Sequence, residues 1–141
     1  MKISSKGRCA LHIMADIAEN GSNGCISAKD ISQRQGISVK YMEQILPHLT
    51  RAGLLHSERG AQGGYRLTRA PEQYTTLDIL RAVAGDAAPV THPPQTHRTQ
   101  AFWEGMNRAM QAYAESVTLR DLMPTTDNRR RTEPAHAYLL D

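Results

Sequence analysis

Cysteine is nearly absent from this chain of 141 residues: only Cys9 and Cys25 occur, in no Cys-X-X-Cys motif and at no spacing that metal ligands use. Neither a disulfide framework nor a thiolate metal site is thereby indicated, and the expectation is two reduced thiols, with Cys9 near a helix core. Long apolar runs are missing too. No stretch approaches the ~20 residues that span a bilayer, and the opening MKISSKGRCALHIMADIAE carries acids inside its apolar stretch, unlike a secretory leader. The protein is therefore expected to be soluble and cytoplasmic, with no membrane partner. Signatures of catalysis are lacking as well. There is no nucleophile and base at a recognisable motif spacing, no paired catalytic carboxylates and no nucleotide fingerprint, so an enzyme is not expected.

An excess of acid is also absent. The chain holds 17 Lys and Arg against 14 Asp and Glu, a formal net charge of +3. Residues 1–85 carry 11 basic and 7 acidic side chains, whereas residues 86–141 carry 6 and 7. The basic surplus lies in the first part, where a polyanion would dock. A length in the range of about 100–200 residues suits a single compact core.

What is present reads as a series of short, well-capped helices. In SKGRCALHIMADIAE, residues 5–19, Ala10, Ile13, Met14, Ile17 and Ala18 recur at spacings of three and four, with serines before the run and NGSNG after it: an amphipathic helix. Ser27 with Asp30 has capping-box spacing and opens a short helix that places Ile31 inward and ends near Gly36. A third helix opens at Ser38 in ISVKYMEQILPHLTRAGLL. It is expected to bury Val39, Met42, Ile45, Leu46 and Leu49 and to leave Lys40, Tyr41, Glu43 and Gln44 on or near its polar side. Two helices joined by the tight Gly36–Ser38 turn form a helix-turn-helix. Pro47 removes a hydrogen bond inside the second of them and is expected to kink it beyond Gln44, at a cost of roughly 3 kcal/mol.

The stretch SERGAQGGYRL, residues 57–67, concentrates glycine beside Arg59, Gln62 and Arg66. Three readings compete: a phosphate-cradling loop, an ordinary hairpin turn, and a loop that lies along a nucleic-acid backbone. A P-loop needs Gly-Lys-Ser/Thr at a helix start, and no helix start follows Gly64. The flanking residues alternate as strands, Leu55 and Ser57 before the turn, Tyr65 and Leu67 after it. A helix-turn-helix followed directly by a hairpin is a winged helix, with glycines that allow positive φ and close approach, and Arg59 as a minor-groove or phosphate probe.

Thr75 and Asp78, again in capping-box spacing, start a helix that Gly85 stops, closing a first domain at residues 1–85. Residues 86–97 are proline-rich and form a linker. From Arg98 the apolar residues Phe102, Met106, Ala109, Met110, Tyr113 and Val117 form one stripe along a long helix, followed by a short helix that ends near residue 123. That stripe is covered either by the same helix of a second subunit, giving a two-fold dimer that addresses a palindromic site, or by the winged-helix domain of its own chain. Residues 124–141 are a polar tail, expected to be mobile, with a solvated arginine run. The fold class is thus mainly α with a small β-hairpin wing, a winged helix-turn-helix plus a long C-terminal dimerisation helix.

Taken together, MKISSKGRCAL, ISQRQGISVKYMEQIL, RAGLLHSERGAQGGYRL, TLDILRAVAGDAAPV and SVTLRDL resemble the Rrf-two family of bacterial transcription regulators, of the IscR, NsrR and CymR type, over residues 1 to about 123. The resemblance implies a dimeric winged-helix repressor. Matched position by position, its DNA contacts fall on Ser38, Lys40, Tyr41, Glu43 and Gln44, and on Arg59 and Gly60 of the wing, with Lys6 as a phosphate partner. The chemistry suits these roles: Gln44 can pair with adenine, Glu43 can accept from a cytosine amino group, and Arg59 fits a narrow minor groove.

This chain departs from the family where cluster-binding branches keep three cysteines, since VTHPPQTHRTQAFWEG has none. No cofactor is expected, and a cysteine-ligated iron-sulfur cluster is not. In this the chain resembles the cysteine-metabolism branch, which implies a role in sulfur metabolism or stress and a partner enzyme such as an O-acetylserine thiol-lyase. Asp141 stands where that branch ends in an apolar residue. Alternatives remain: a metal- or redox-responsive regulator using His92 and His97, with His12 nearby in kind, or Cys9 and Cys25; and a winged-helix module that binds protein rather than DNA.

Overall fold

The computed structural model describes residues 3–84 and 97–124. Helix α1, Ser5–Asn20, begins where the Ser4 hydroxyl accepts a hydrogen bond from the Gly7 N–H at 3.2 Å. Its inner face is fully buried at Ala10, Ile13, Met14 and Ile17, as the spacing predicts. Helix α2, Ala28–Gln35, is capped by the Ser27 hydroxyl on the Asp30 N–H, 3.1 Å, and ends at Gly36, which takes the left-handed conformation at φ 68°. Ile31 points into the core.

One inward residue was not anticipated. Asp16, on the buried face of α1, is only 1% exposed. Arg34 donates to it from Nε and Nη2, at 2.9 and 2.8 Å, and Gln35 donates from Nε2 at 2.8 Å. Three hydrogen bonds to one carboxylate, two of them from a bidentate guanidinium, fix α2 against α1.

The segment after Ser38 corrects the expectation of one helix kinked beyond Gln44. Helix α3 covers only Val39–Met42 and helix α4 covers Leu46–Arg51, with residues 43–45 forming a turn between them. Proline disturbs the turn that precedes it: Pro47 has no N–H for the Glu43 carbonyl, and its ring crowds that same carbonyl. The chain tightens instead, the Gln44 N–H bonding Tyr41 O at 3.0 Å and the Ile45 N–H bonding Met42 O at 2.9 Å. Pro47 ends up in the first turn of α4, where an N–H has no intrahelical partner to lose, so most of the expected penalty is avoided. Met42, Ile45, Leu46 and Leu49 are buried, but Val39 is 38% exposed rather than inward.

Strands β1, Leu55–Glu58, and β2, Gly64–Leu67, pair antiparallel, with Leu55 opposite Leu67 and Ser57 opposite Tyr65. Ile26 adds a third rung, exchanging two 2.8 Å hydrogen bonds with Tyr65 and so docking the hairpin on the segment before α2. Gly64 is required there, because a Cβ would collide with the Ile26 carbonyl oxygen and its φ is 148°.

Tyr74 anchors the far end of the hairpin. Its fully buried hydroxyl donates to Leu54 O at 2.9 Å and accepts from the N–H groups of Thr68 and Arg69 at 2.8 and 3.0 Å. The Arg69 guanidinium lies 4.8 Å over the ring. Helix α5, Thr76–Ala84, then starts with the expected reciprocal cap: the Thr75 hydroxyl takes the Asp78 N–H and the Asp78 carboxylate takes the Thr75 N–H, both at 3.1 Å. Its proposed stop, Gly85, and the linker as far as residue 96 lie outside the described residues.

Helix α6 runs from His97 to Ser116, and α7, Leu119–Leu122, is capped by Thr118 with Asp121. Twenty residues make α6 about 30 Å long. It meets the winged helix at its C-terminal end: Thr76 donates from its hydroxyl to Ala114 O at 2.6 Å and from its N–H to Val117 O at 2.8 Å, while the Leu119 N–H bonds Tyr74 O at 2.9 Å. Ala114 packs with Leu77, Leu80 and Leu11. Val117 follows the helix rather than continuing it.

Arg34→Met strands the Asp16 carboxylate in the core. Because the arginine side chain is 39% exposed, the cost is put below that of a fully buried pair, at about 2–3 kcal/mol of unfolding free energy by urea titration. Tyr74→Phe leaves the Thr68 and Arg69 N–H groups without the acceptor they share and the Leu54 carbonyl with only the long 3.5 Å bond from the Thr68 hydroxyl. The same measurement should show a loss of about 1–3 kcal/mol.

Candidate nucleic-acid interface

Four of the expected contact residues come together on one short stretch. Ser38 and Lys40 stand at the start of α3, Glu43 and Gln44 on the turn that follows, and all four are exposed. Lys40, Glu43 and Gln44 form no side-chain hydrogen bond or ion pair among the described residues, so their polar groups face outward unspent. Ser38 has a structural duty as well. Its hydroxyl oxygen accepts the Tyr41 N–H at 3.1 Å, which leaves its proton free to donate. Tyr41 is the exception in the set, because it is half-buried and packs against the core.

Arg59 and Gly60 occupy the hairpin tip, apart from the α3 stretch, and are exposed. Arg59 has no ion-pair partner among the described residues. Gly60 adopts φ 110° with open space around its Cα, so glycine serves the backbone conformation and leaves the tip without a side chain. Lys6 stands half-exposed in the first turn of α1.

The outward face of the hairpin carries a charge group that sequence reasoning missed. Glu58 Oε1 lies 3.3 Å from Arg66 Nε and 3.8 Å from His56 Nε2. The strand register was the available signal, since it sets His56 opposite Arg66 and Glu58 one pleat along. Arg66 is therefore partly neutralised, in contrast to Arg59.

Neither thiol is activated. Burial pushes the Cys9 thiol up, and burial together with the Glu58 carboxylate pushes Cys25 up against a weaker opposing pull from Arg66. Both are protonated at neutral pH, which disfavours thiolate redox chemistry. His92 lies outside the described residues, as does the side chain of His97, whose backbone opens α6. Among the described residues no three His, Cys, Asp or Glu side chains gather as a metal site would require, and no helix is long and apolar enough to cross a membrane.

The stripe on α6 faces outward. Phe102 and Tyr113 are 58% and 73% exposed, Met106 and Ala109 are exposed, and Met110 and Val117 are half-buried. Trp103 extends the apolar surface, its ring edge-on to Phe102 with centroids 5.0 Å apart, and is itself exposed. Among the described residues the winged-helix domain of the same chain leaves Phe102, Trp103, Met106, Ala109 and Tyr113 exposed.

Residues 3–125 match the family model Rrf2, described as an iron-dependent transcriptional regulator. The HTH-type transcriptional regulator CymR of Bacillus subtilis is 37% identical over 131 residues, spanning 92% of this chain and 95% of its own. A solved structure of CymR (YrzC), the global cysteine regulator of B. subtilis, superposes with a TM-score of 0.75 at 37% identity, covering 86% of this chain and 95% of that one. The IscR structure from T. potens gives 0.74 at 36% identity, covering 86% and 85%. A cluster held by three cysteines cannot be built from the two that the chain carries, Cys9 and Cys25. With the winged helix and its neighbours in agreement over nearly the whole described chain, the protein belongs to the Rrf2 (Rrf-two) family of DNA-binding transcriptional regulators and is not an enzyme.

Proposed function

We propose that this regulator is a homodimeric, sequence-specific repressor acting in the cytoplasm on a palindromic operator. The observation that carries the reading is the set of exposed, unpaired polar side chains, Lys40, Glu43, Gln44 and Arg59, on the helix-turn-helix and wing. Lys40 and Lys6 contact phosphate. Gln44 reads adenine, and Glu43 discriminates by accepting from a cytosine amino group while repelling phosphate. Ser38 donates its free proton, and Tyr41 contributes from its half-buried position. Arg59 and the side-chain-free Gly60 let the wing enter the minor groove.

Dimerisation joins two copies through α6. Phe102, Met106, Ala109, Met110 and Tyr113 form the seam, Val117 lies at its end, and Trp103 widens it. Apolar side chains of this size, left uncovered on a helix about 30 Å long, are the pattern of an obligate partner surface. Two recognition elements related by two-fold symmetry suit two half-sites of a palindrome. Similarity to the regulator named as the global cysteine regulator of B. subtilis supports regulated genes of sulfur or cysteine metabolism. A partner enzyme such as an O-acetylserine thiol-lyase is the route proposed for the signal.

Binding to duplex DNA, measured by fluorescence anisotropy at two salt concentrations, tests the first part. Affinity should fall as salt rises, and Arg59→Ala or Lys40→Ala should each weaken binding and lower the salt slope by about one. An affinity insensitive to salt would sink it. For the dimer, Met106→Glu puts a charge into the seam. Sedimentation should show a folded monomer, and operator affinity should drop by about 100-fold or more once the two half-sites are no longer bound by a linked pair.

A further inference from the structure

We infer that Pro47, which touches no DNA in this reading, is a specificity-determining residue. It selects the operator by setting how Gln44 is presented. The inference rests on the DNA-binding role proposed for that side chain.

In an unbroken helix from Ser38 onward, the Gln44 N–H would bond the Lys40 carbonyl and the Ile45 N–H the Tyr41 carbonyl, each four residues back. Here both reach only three residues back, to Tyr41 O and Met42 O, and the His48 N–H likewise takes Ile45 O at 3.1 Å. Ile45 carries the distortion at φ −106° and ψ −48°, while Glu43 keeps φ −62° and ψ −19°. Three-residue bonding turns the chain about 120° and lifts it about 2.0 Å per residue, against about 100° and 1.5 Å for an α-helix. Glu43 still bonds Val39 O, four residues back, so the difference begins at Gln44, where it is roughly 20° and 0.5 Å, and reaches roughly 40° and 1 Å at Ile45. A rotation at the Gln44 backbone re-aims an amide whose hydrogen bonds to a base edge depend on angle. Lys40 lies ahead of the tightened turn and is unaffected, whereas Gln44 lies within it.

The cause of the turn is local. Pro47 is exposed, and what the backbone lacks is its N–H to the Glu43 carbonyl. The buried residues on either side, Met42, Ile45, Leu46 and Leu49, keep the three- and four-residue spacing of a single helical face. A continuous helix could therefore bury the same four side chains, and proline decides against it. Restoring an N–H at this position re-aims Gln44 without removing any core contact.

The experiment is selection from random duplexes by the full-length protein, by Pro47→Ala and Pro47→Ser, and by Gln44→Ala and Arg59→Ala as references that mark which base positions depend on each side chain. Thermal melting and far-ultraviolet circular dichroism confirm that each variant is folded. Both Pro47 variants should change base preference at the positions marked by Gln44→Ala, by about five-fold or more, the size of one mismatched base pair. Preference at the positions marked by Arg59→Ala should not move. If both variants select the wild-type sequence with unchanged preference, the inference is overturned. Should the wild type itself enrich no site, the DNA-reading role of Gln44 falls, and the role of Pro47 falls with it.

Discussion

The geometry of the helix-turn-helix depends on a single buried carboxylate. Asp16 lies inside α1, and its three hydrogen bonds to Arg34 and Gln35 reach the last turn of α2. Apolar packing is nondirectional and would tolerate some rotation of α2 across α1. A bidentate guanidinium pair tolerates far less, because both N–H···O bonds have to keep their angles. Everything after α2 inherits that orientation, through the left-handed Gly36 and the Ser38 cap into the residues that face outward. On the other side of the core the Tyr74 hydroxyl does comparable work, joining the end of the recognition element at Leu54 to the end of the wing at Thr68 and Arg69.

Much of this architecture was legible in the chain because its signals are local. Ser4, Ser27, Ser38, Thr75 and Thr118 each cap the helix they precede, and the apolar spacing of α1 and α6 needs only neighbouring residues to be seen. Asp16 and Tyr74 were not legible. An acid in an amphipathic run looks like part of the polar face, and its partners lie eighteen and nineteen residues away. Pro47 was visible, but its effect was assigned to the wrong side. Proline acts on the carbonyl four residues before it, so the break falls on the residues expected to read bases and not beyond them.

The site divides in the same way. Lys40, Gln44 and Arg59 are outward and unpaired, in keeping with residue types suited to a polyanion, and the acid Glu43 is outward and unpaired beside them. Tyr41 shares itself with the core, and Ser38 serves first as a helix cap. Arg66, equally basic in sequence, is held by Glu58 across the hairpin, a pairing that appears only once the strand register is known. The outward stripe of α6 was readable as a stripe. Its lack of cover required the fold, since only Ala114 of the helix is buried against the winged domain among the described residues.

In the proposed dimer, two copies joined along α6, each presenting one recognition element and one wing, should leave a two-fold mark on DNA. Hydroxyl-radical footprinting of the protein on a selected operator measures this directly. The account requires two equivalent blocks of protection related by the symmetry of the site, their centres separated by about one helical turn or a multiple of it. A single unsymmetric block, unchanged when one half of the site is scrambled, would contradict it.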